Sequence, residues 1–311
     1  MSPSSQHPAK AMARLLLRIR ERFFPRTQFS NLPLVGRLIP MLMRRARSTV
    51  VENVHGHRMF VDEKDSMGLS IDPMFEPLET RFCAAAVGPG LVVVDVGANI
   101  GYYTLLFAKH VGPSGKVFAF EPDPDNFGLL TKNIETNGYS NVVPLQAAVS
   151  DAAGQLDLYR NDANRMDHRT YSPGEGWQSV SVPAIRLDDY FAPSSRRVDV
   201  IKMDIQGSEP KALAGMAALL ADNRDVIFIT EFWPYGLRAA GHDPAAYLAD
   251  LGRLGFQLSE IDERRGRLSP TTAAQLLSTL DDRDKWAATN LVCARAPLPD
   301  FPGAAPRGAL R

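Results

Sequence analysis

The sequence predicts an α/β fold with a doubly wound, mostly parallel seven-stranded sheet. From about residue 90, short apolar runs rich in Val, Ile and Phe alternate with longer stretches of helical period, the pattern of βαβ units. A glycine-bearing turn at 97–101 follows the first of those runs. With 311 residues, 45% of them hydrophobic, the chain is long enough to bury one sizeable core.

The strand candidates, in order, are 91–96, 117–120, 142–149, 198–203, 226–230, 256–261 and 289–294. Stripes at Phe127, Leu130 and Ile134, at Leu213, Met216 and Leu220, and at Tyr247, Leu251 and Leu254 supply helices for both faces. Two alternating runs, 155–159 and 178–182, read as a hairpin around a polar insert at 160–178, which is either a substrate lid or a surface loop. The main domain is expected over 51–296, followed by a flexible Pro-, Gly- and Ala-rich tail at 297–311.

Residues 1–50 form a basic extension, with ten Lys and Arg against the single acid Glu21, although the whole chain balances 35 basic against 35 acidic residues. Leu16, Ile19 and Phe23 share one helical face there. A basic amphipathic helix over 10–26 suits peripheral membrane contact, or packs on the main domain with its charges in solvent. Zero net charge offers no general attraction to nucleic acid. No apolar run reaches the roughly 18–20 residues of a membrane helix, and Leu15 to Leu17 is too short for a signal-peptide core. Cys83 and Cys293 sit in apolar surroundings and read as core thiols, so the expected location is cytoplasmic.

Three segments carry the chemistry. In the first, the apolar run Val94-Asp95-Val96 enters Gly97-Ala98-Asn99-Ile100-Gly101 and then a helix. Glycines admit close approach of the backbone to a ligand, and the helix start offers unpaired N–H groups to an anion. In the second, the run 117–120 ends in Glu121, which can accept two hydrogen bonds from a ribose diol. Asp123 and Asp125 stand nearer the next helix start and read as its capping acids. These two segments leave a nicotinamide and a sulfonium cofactor equally open.

In the third, Lys202 and Asp204 interrupt an otherwise apolar strand at its carboxyl end, where open α/β sheets bind ligands, and they either pair or serve function. Ser208, before Glu209 and Pro210, reads as a helix N-cap. Glu231 ends the neighbouring strand, so two carboxylates, Asp204 and Glu231, face one crevice. They suit general-base chemistry better than Mg2+, because no clustered His, Asp and Glu show ligand spacing. His168 in the insert is a base or a solvated loop residue, and the aromatic trio Phe232, Trp233 and Tyr235 after Glu231 is a stacking platform or local core.

With these segments on the page, the chain resembles the FkbM family of S-adenosylmethionine-dependent methyltransferases over roughly 52–295. The resemblance rests on Asp95-Val96-Gly97-Ala98-Asn99-Ile100-Gly101-Tyr102-Tyr103-Thr104, then Ala119-Phe120-Glu121-Pro122 with Asn133 and Asn137, then Ala147-Ala148-Val149-Ser150-Asp151, then Ile201-Lys202-Met203-Asp204-Ile205-Gln206-Gly207-Ser208-Glu209. Upstream, Phe75-Glu76-Pro77 resembles the segment before the family's first motif. It implies a Rossmann-like class I methyltransferase sheet with an antiparallel last strand, S-adenosyl-L-methionine as cofactor, and O-methylation of a sugar, glycolipid or natural-product acceptor.

Carried over by residue, Asp95, Gly97, Asn99 and Gly101 shape the methionine end, Glu121 holds the ribose, Ala148 to Asp151 lie near adenine, and Asp204 lines the reaction centre with Lys202 and Glu231. Gln206 departs from the family's usual Glu. Two other readings stand beside this one: a non-catalytic binding module of the same fold, and an NAD-dependent oxidoreductase, against which the spacing of Gly97 and Gly101 argues.

Overall fold

The computed structural model describes residues 48–191, 197–280, 282–296 and 298, so the helix expected at 10–26 and nearly all of the expected tail lie outside the described residues. The chain divides into two compact units between Phe75 and Glu76. In the first, β1 (Val50–Val54) and β2 (His57–Phe60) form an antiparallel hairpin. Its turn holds His55 and Gly56 in the left-handed region, and Asn53, also left-handed, sits at a register irregularity in β1.

The second unit runs α1 (Pro77–Ala86), β3 (Val92–Val96), α2 (Tyr102–Val111), β4 (Lys116–Phe120), α3 (Pro124–Thr136), β5 (Val142–Leu145) and β6 (Ala148–Val149). It continues with β7 (Gly154–Arg160), β8 (Gln178–Ile185), α4 (Leu187–Tyr190), β9 (Val200–Met203), α5 (Glu209–Ala214), α6 (Ala217–Asp222) and β10 (Ile227–Phe232). It closes with α7 (Pro234–Ala239), α8 (Pro244–Arg253), β11 (Gln257–Asp262), β12 (Arg267–Thr271), α9 (Ala273–Thr279) and β13 (Thr289–Ala294).

The main sheet has the order β12-β11-β13-β10-β9-β3-β4-β5. Its centre is parallel, and β13 runs antiparallel between β10 and β11. All seven expected strands are present, and the last one is antiparallel, as the resemblance implies. The eighth strand, β12, lies outside the seven expected runs, and Arg267-Leu268-Ser269-Pro270-Thr271 carries little apolar character to mark it. Its edge position tolerates Pro270, which cannot donate to a ladder.

Two expected elements are divided. The run 142–149 splits at Gln146 and Ala147, and β6 leaves the main sheet to pair in parallel with β8 in a three-stranded sheet of order β6-β8-β7. The break falls at the one polar residue of an otherwise apolar run, Gln146, two residues after Pro144. The helix expected from Leu213, Met216 and Leu220 is interrupted at Gly215 and Met216, giving α5 and α6, yet all three side chains remain in the main core with Val94, Ile201 and Phe228. The hairpin around the insert forms as β7 and β8, paired from Gly154 opposite Ala184 to Arg160 opposite Gln178. Cys83 and Cys293 are both buried and unbridged. Among the described residues no helix is long and apolar enough to cross a membrane.

Candidate functional site at the carboxyl edge of the sheet

The first site residues come from the turn after β3. Gly97 has φ +83°, and a Cβ there would lie 2.1 Å from the Asp204 carbonyl oxygen. Gly101, the N-cap of α2, has φ +95°, and its Cβ would lie 2.9 Å from Leu130 Cδ1. Gly97 is therefore required by packing against backbone inside the protein, and Gly101 chiefly by its left-handed backbone, since the tip of the Leu130 side chain can move aside. Asn99 is also left-handed, at φ +50°, which an Asn tolerates through local hydrogen bonding. Its Oδ1 accepts from Ile100 N at 2.8 Å. No side chain caps α2.

Glu121 follows β4 and is nearly buried. One carboxyl oxygen accepts from Asn99 N at 2.8 Å and the other from Asp123 N at 2.9 Å. Burial raises this carboxyl to about 8, and the two backbone bonds oppose the rise. When the group is ionised, each oxygen keeps one further lone-pair direction, so the pair of acceptors fits the two hydroxyl donors of a vicinal diol such as that of a ribose. Asp123 caps α3, accepting from Asp125 N and Asn126 N.

Parallel pairing sets Asp95 opposite Lys202 on neighbouring strands. Burial raises Asp95 to about 6, against the pull of Lys202 and a 2.6 Å bond donated by Thr104 Oγ1. Lys202 Nζ lies 3.4 Å from Glu79 Oε1, 3.7 Å from Asp204 Oδ2 and 4.3 Å from the centre of the Tyr103 ring. Burial disfavours the Lys202 charge, but Glu79, Asp204, Glu76 and Asp95 outweigh it and raise the ammonium. Lys202 and Asp204 are therefore paired as well as sited at the crevice. The ammonium is buried, whereas Asp204 keeps 29% of its side-chain surface.

Glu231 follows in register on β10. Burial, then the charges of Asp204, Glu209 and Glu76, raise it well above an ordinary glutamate. Gln206 joins the two carboxyls, its amide nitrogen donating to Asp204 Oδ1 at 2.8 Å and to Glu231 Oε2 at 3.3 Å. The amide does what a carboxylate there would not: it offers donors between two acceptors.

Sequence reasoning assigned no role to Glu79, Glu76 or Tyr103 individually. Glu79 is buried against Lys202 and accepts from Asn290 Nδ2, and Glu76 accepts from the Tyr103 hydroxyl at 3.0 Å. The signal for Glu79 was its place three residues after Glu76 on α1, but nothing in the sequence tied that helix to Lys202. Ser208 stands at the N-cap position of α5 without capping it; its hydroxyl bonds Thr170 Oγ1 instead. Glu209 covers the loop amides, accepting from Ile205 N at 3.1 Å and Gly207 N at 2.9 Å.

Ala148 and Asp151 are placed differently. Ala148, on β6 of the small sheet, is buried with Leu158 and Val182 of its other two strands, and Asp151 is exposed, accepting from Ser150 Oγ at 3.0 Å. His168 is not a solvated loop residue, because its side chain is buried. Its Nδ1 accepts from Asn161 N, its Nε2 lies 3.8 Å from Asp123 Oδ2, and burial lowers its pKa. Trp233 is mostly buried, donates from its indole to Lys285 O at 3.0 Å, and has the Arg169 guanidinium 5.0 Å from its ring centre. Among the described residues no group of three or more His, Cys, Asp and Glu is arranged to hold a metal ion.

The methyltransferase FkbM domain matches residues 95–258, more than half of the chain. Methyltransferase 1 of Beauveria bassiana is 31% identical over 40% of this chain and 57% of its own length. Hexuronic acid methyltransferase AglP of Haloferax volcanii is 30% identical over 44% and 54%. The 31-O-demethyl-FK506 methyltransferase FkbM of Streptomyces tacrolimicus is 31% identical over 41% and 60%. The chain thus spans less than two thirds of the length of each of these relatives.

Proposed function

The chain belongs to the FkbM methyltransferase family, and on that premise we propose that it is an S-adenosylmethionine-dependent O-methyltransferase acting on a hydroxyl of a sugar, glycolipid or natural product. Relatives named for a hexuronic acid and for 31-O-demethyl-FK506 support that acceptor class. The observation that carries the reading is the packing of Gly97 against the Asp204 carbonyl, which joins the cofactor turn to the carboxylate segment backbone to backbone.

In this reading Glu121 takes the ribose diol, the turn from Gly97 to Gly101 and the start of α2 take the methionine end, and Ala148 to Asp151 border adenine. When bound, the cofactor supplies an electrophilic methyl group on a sulfonium. An alcohol is a poor nucleophile until its proton is removed, and the Asp204 carboxylate, part-exposed in the crevice, accepts that proton. Lys202 and Gln206 hold Asp204 from two sides, so the carboxylate loses little freedom when the acceptor arrives. Glu231, raised by burial and then by its acidic neighbours, stands beside it, bridged to Asp204 through the Gln206 amide. A bound Mg2+ is not needed for this proton transfer.

Asp204→Asn tests the assignment. The variant is expected to fold and to bind S-adenosylhomocysteine as wild type does, and to lose methyl transfer by roughly 10²–10⁴-fold in a screen of hydroxylated glycans and glycolipids. Wild-type turnover in the variant would remove Asp204 from the proton path.

A further inference from the structure

The polar insert is tied down at two places. Its second part reaches the acceptor side: Thr170 Oγ1 bonds Ser208, and the Arg169 guanidinium, held by Asp167 at 2.7 Å, lies within 5.0–5.7 Å of the ring centres of Trp233, Trp177 and Tyr171. Its first part is tied to the segment that follows Glu121. Arg160 pairs with Asp123 at 2.9 Å and with Asp125, Arg165 pairs with Asp125 at 3.4 Å, and the Arg165 carbonyl accepts from both Asn99 Nδ2 and Asn126 Nδ2 at 3.1 Å.

That double bond on one carbonyl closes a circuit. Asn99 donates its backbone N–H to one Glu121 oxygen, Asp123 donates to the other, and Asn126 donates its backbone N–H to Asp123 Oδ1. Of the two side-chain amides that grip the insert, that of Asn99 therefore belongs to a residue bonded directly to the carboxyl proposed for the ribose, and that of Asn126 to a residue one step away, joined to it through Asp123. Asn126 is buried, and its Oδ1 has no hydrogen-bond partner among the described residues, an acceptor left open in a place where burial makes that costly.

We propose that residues 161–168 form a wall of the cofactor site, and that Asn99 and Asn126, through their shared grip on the Arg165 carbonyl, tie closure of that wall to cofactor binding. The proposal rests on the methyltransferase reading. It reassigns the first part of the insert from the acceptor to the cofactor, and it makes Asn126 a positioning residue.

The test is limited trypsin digestion of the full chain with and without saturating S-adenosylhomocysteine, read by mass spectrometry at Arg160, Arg165 and Arg169, beside calorimetric titration of wild type and Asn126→Ala. The ligand should slow wild-type cleavage at these sites about tenfold or more, because cleavage requires the open form. Asn126→Ala should bind roughly tenfold more weakly and lose most of that protection. Binding by wild type without any change in cleavage overturns the wall, and that measurement needs no variant, so misfolding of Asn126→Ala does not spare the proposal. Wild-type affinity and protection in a folded Asn126→Ala overturn the clamp. Failure of the wild type to bind the ligand overturns this proposal together with the cofactor reading.

Discussion

Gly97→Ala probes the contact on which the functional reading depends. The new Cβ would meet the Asp204 carbonyl oxygen at 2.1 Å, and the Asp204 carbonyl carbon and Ile205 Cγ2 at 3.1 Å. The nearest atom is backbone, held in place by the bond from Asp204 N to Val96 O at 3.0 Å, so it cannot rotate away as a side-chain tip would. Left-handed backbone at φ +83° adds about 1–2 kcal/mol for any residue with a Cβ, and overpacking about 1–3 kcal/mol. Together these amount to roughly 2–5 kcal/mol, or on the order of 5–15 °C in Tm for a unit of this size. Gly138→Ala is the control: it has φ +71° but nothing within 4 Å of its Cβ, so only the conformational cost of about 1–2 kcal/mol applies. Thermal denaturation followed by circular dichroism measures both. A Gly97→Ala midpoint no lower than that of Gly138→Ala would refute the close packing of the cofactor turn on the Asp204 segment.

Two further predictions concern charge. Lys202→Met leaves Glu79, Asp95 and Asp204 without their ammonium and should cost about 3–5 kcal/mol in urea denaturation. Because Lys202 holds Asp95 and Glu79 down, its loss raises them further, and the cost should be larger at pH 8 than at pH 5; an equal loss at both would contradict the network. Glu121 has a folded pKa of about 8 against an ordinary 4.5. Between those values the unfolded chain binds fewer protons than the folded one, so this residue makes stability fall as pH rises through that window. Glu121→Gln should therefore gain stability over wild type progressively from pH 4.5 to pH 8, and a constant difference would show that Glu121 is not held protonated.

Most of the sheet was legible because strands covered on both faces read as apolar runs, and the two charges in 198–203 stood out against that background. The divisions at 146–147 and at Gly215 were not legible, since hydrophobic period reports burial and not the sheet or helix a residue joins. Asp95, Glu121, Lys202, Asp204 and Glu231 were visible as charges at strand ends. Glu79 was not, because α1 reaches Lys202 only through tertiary packing. Gln206 was visible only as a departure from the family's usual residue, and its bridge between two carboxyls is a fact of geometry. Gly97 stands out in the sequence as a place for a ligand to approach, yet it is required by a backbone carbonyl of the protein itself, and Gly101 by its left-handed backbone.

The central claim is that Glu121 and the adjoining glycine turn hold the nucleoside of a methyl donor. Calorimetric titration of wild type and Glu121→Ala with S-adenosylhomocysteine tests it most directly. Wild type is expected to bind in the micromolar range and the variant about tenfold to a hundredfold more weakly, the value of two hydrogen bonds to one carboxyl. A folded wild type that does not bind, or a variant that binds equally well, would contradict it.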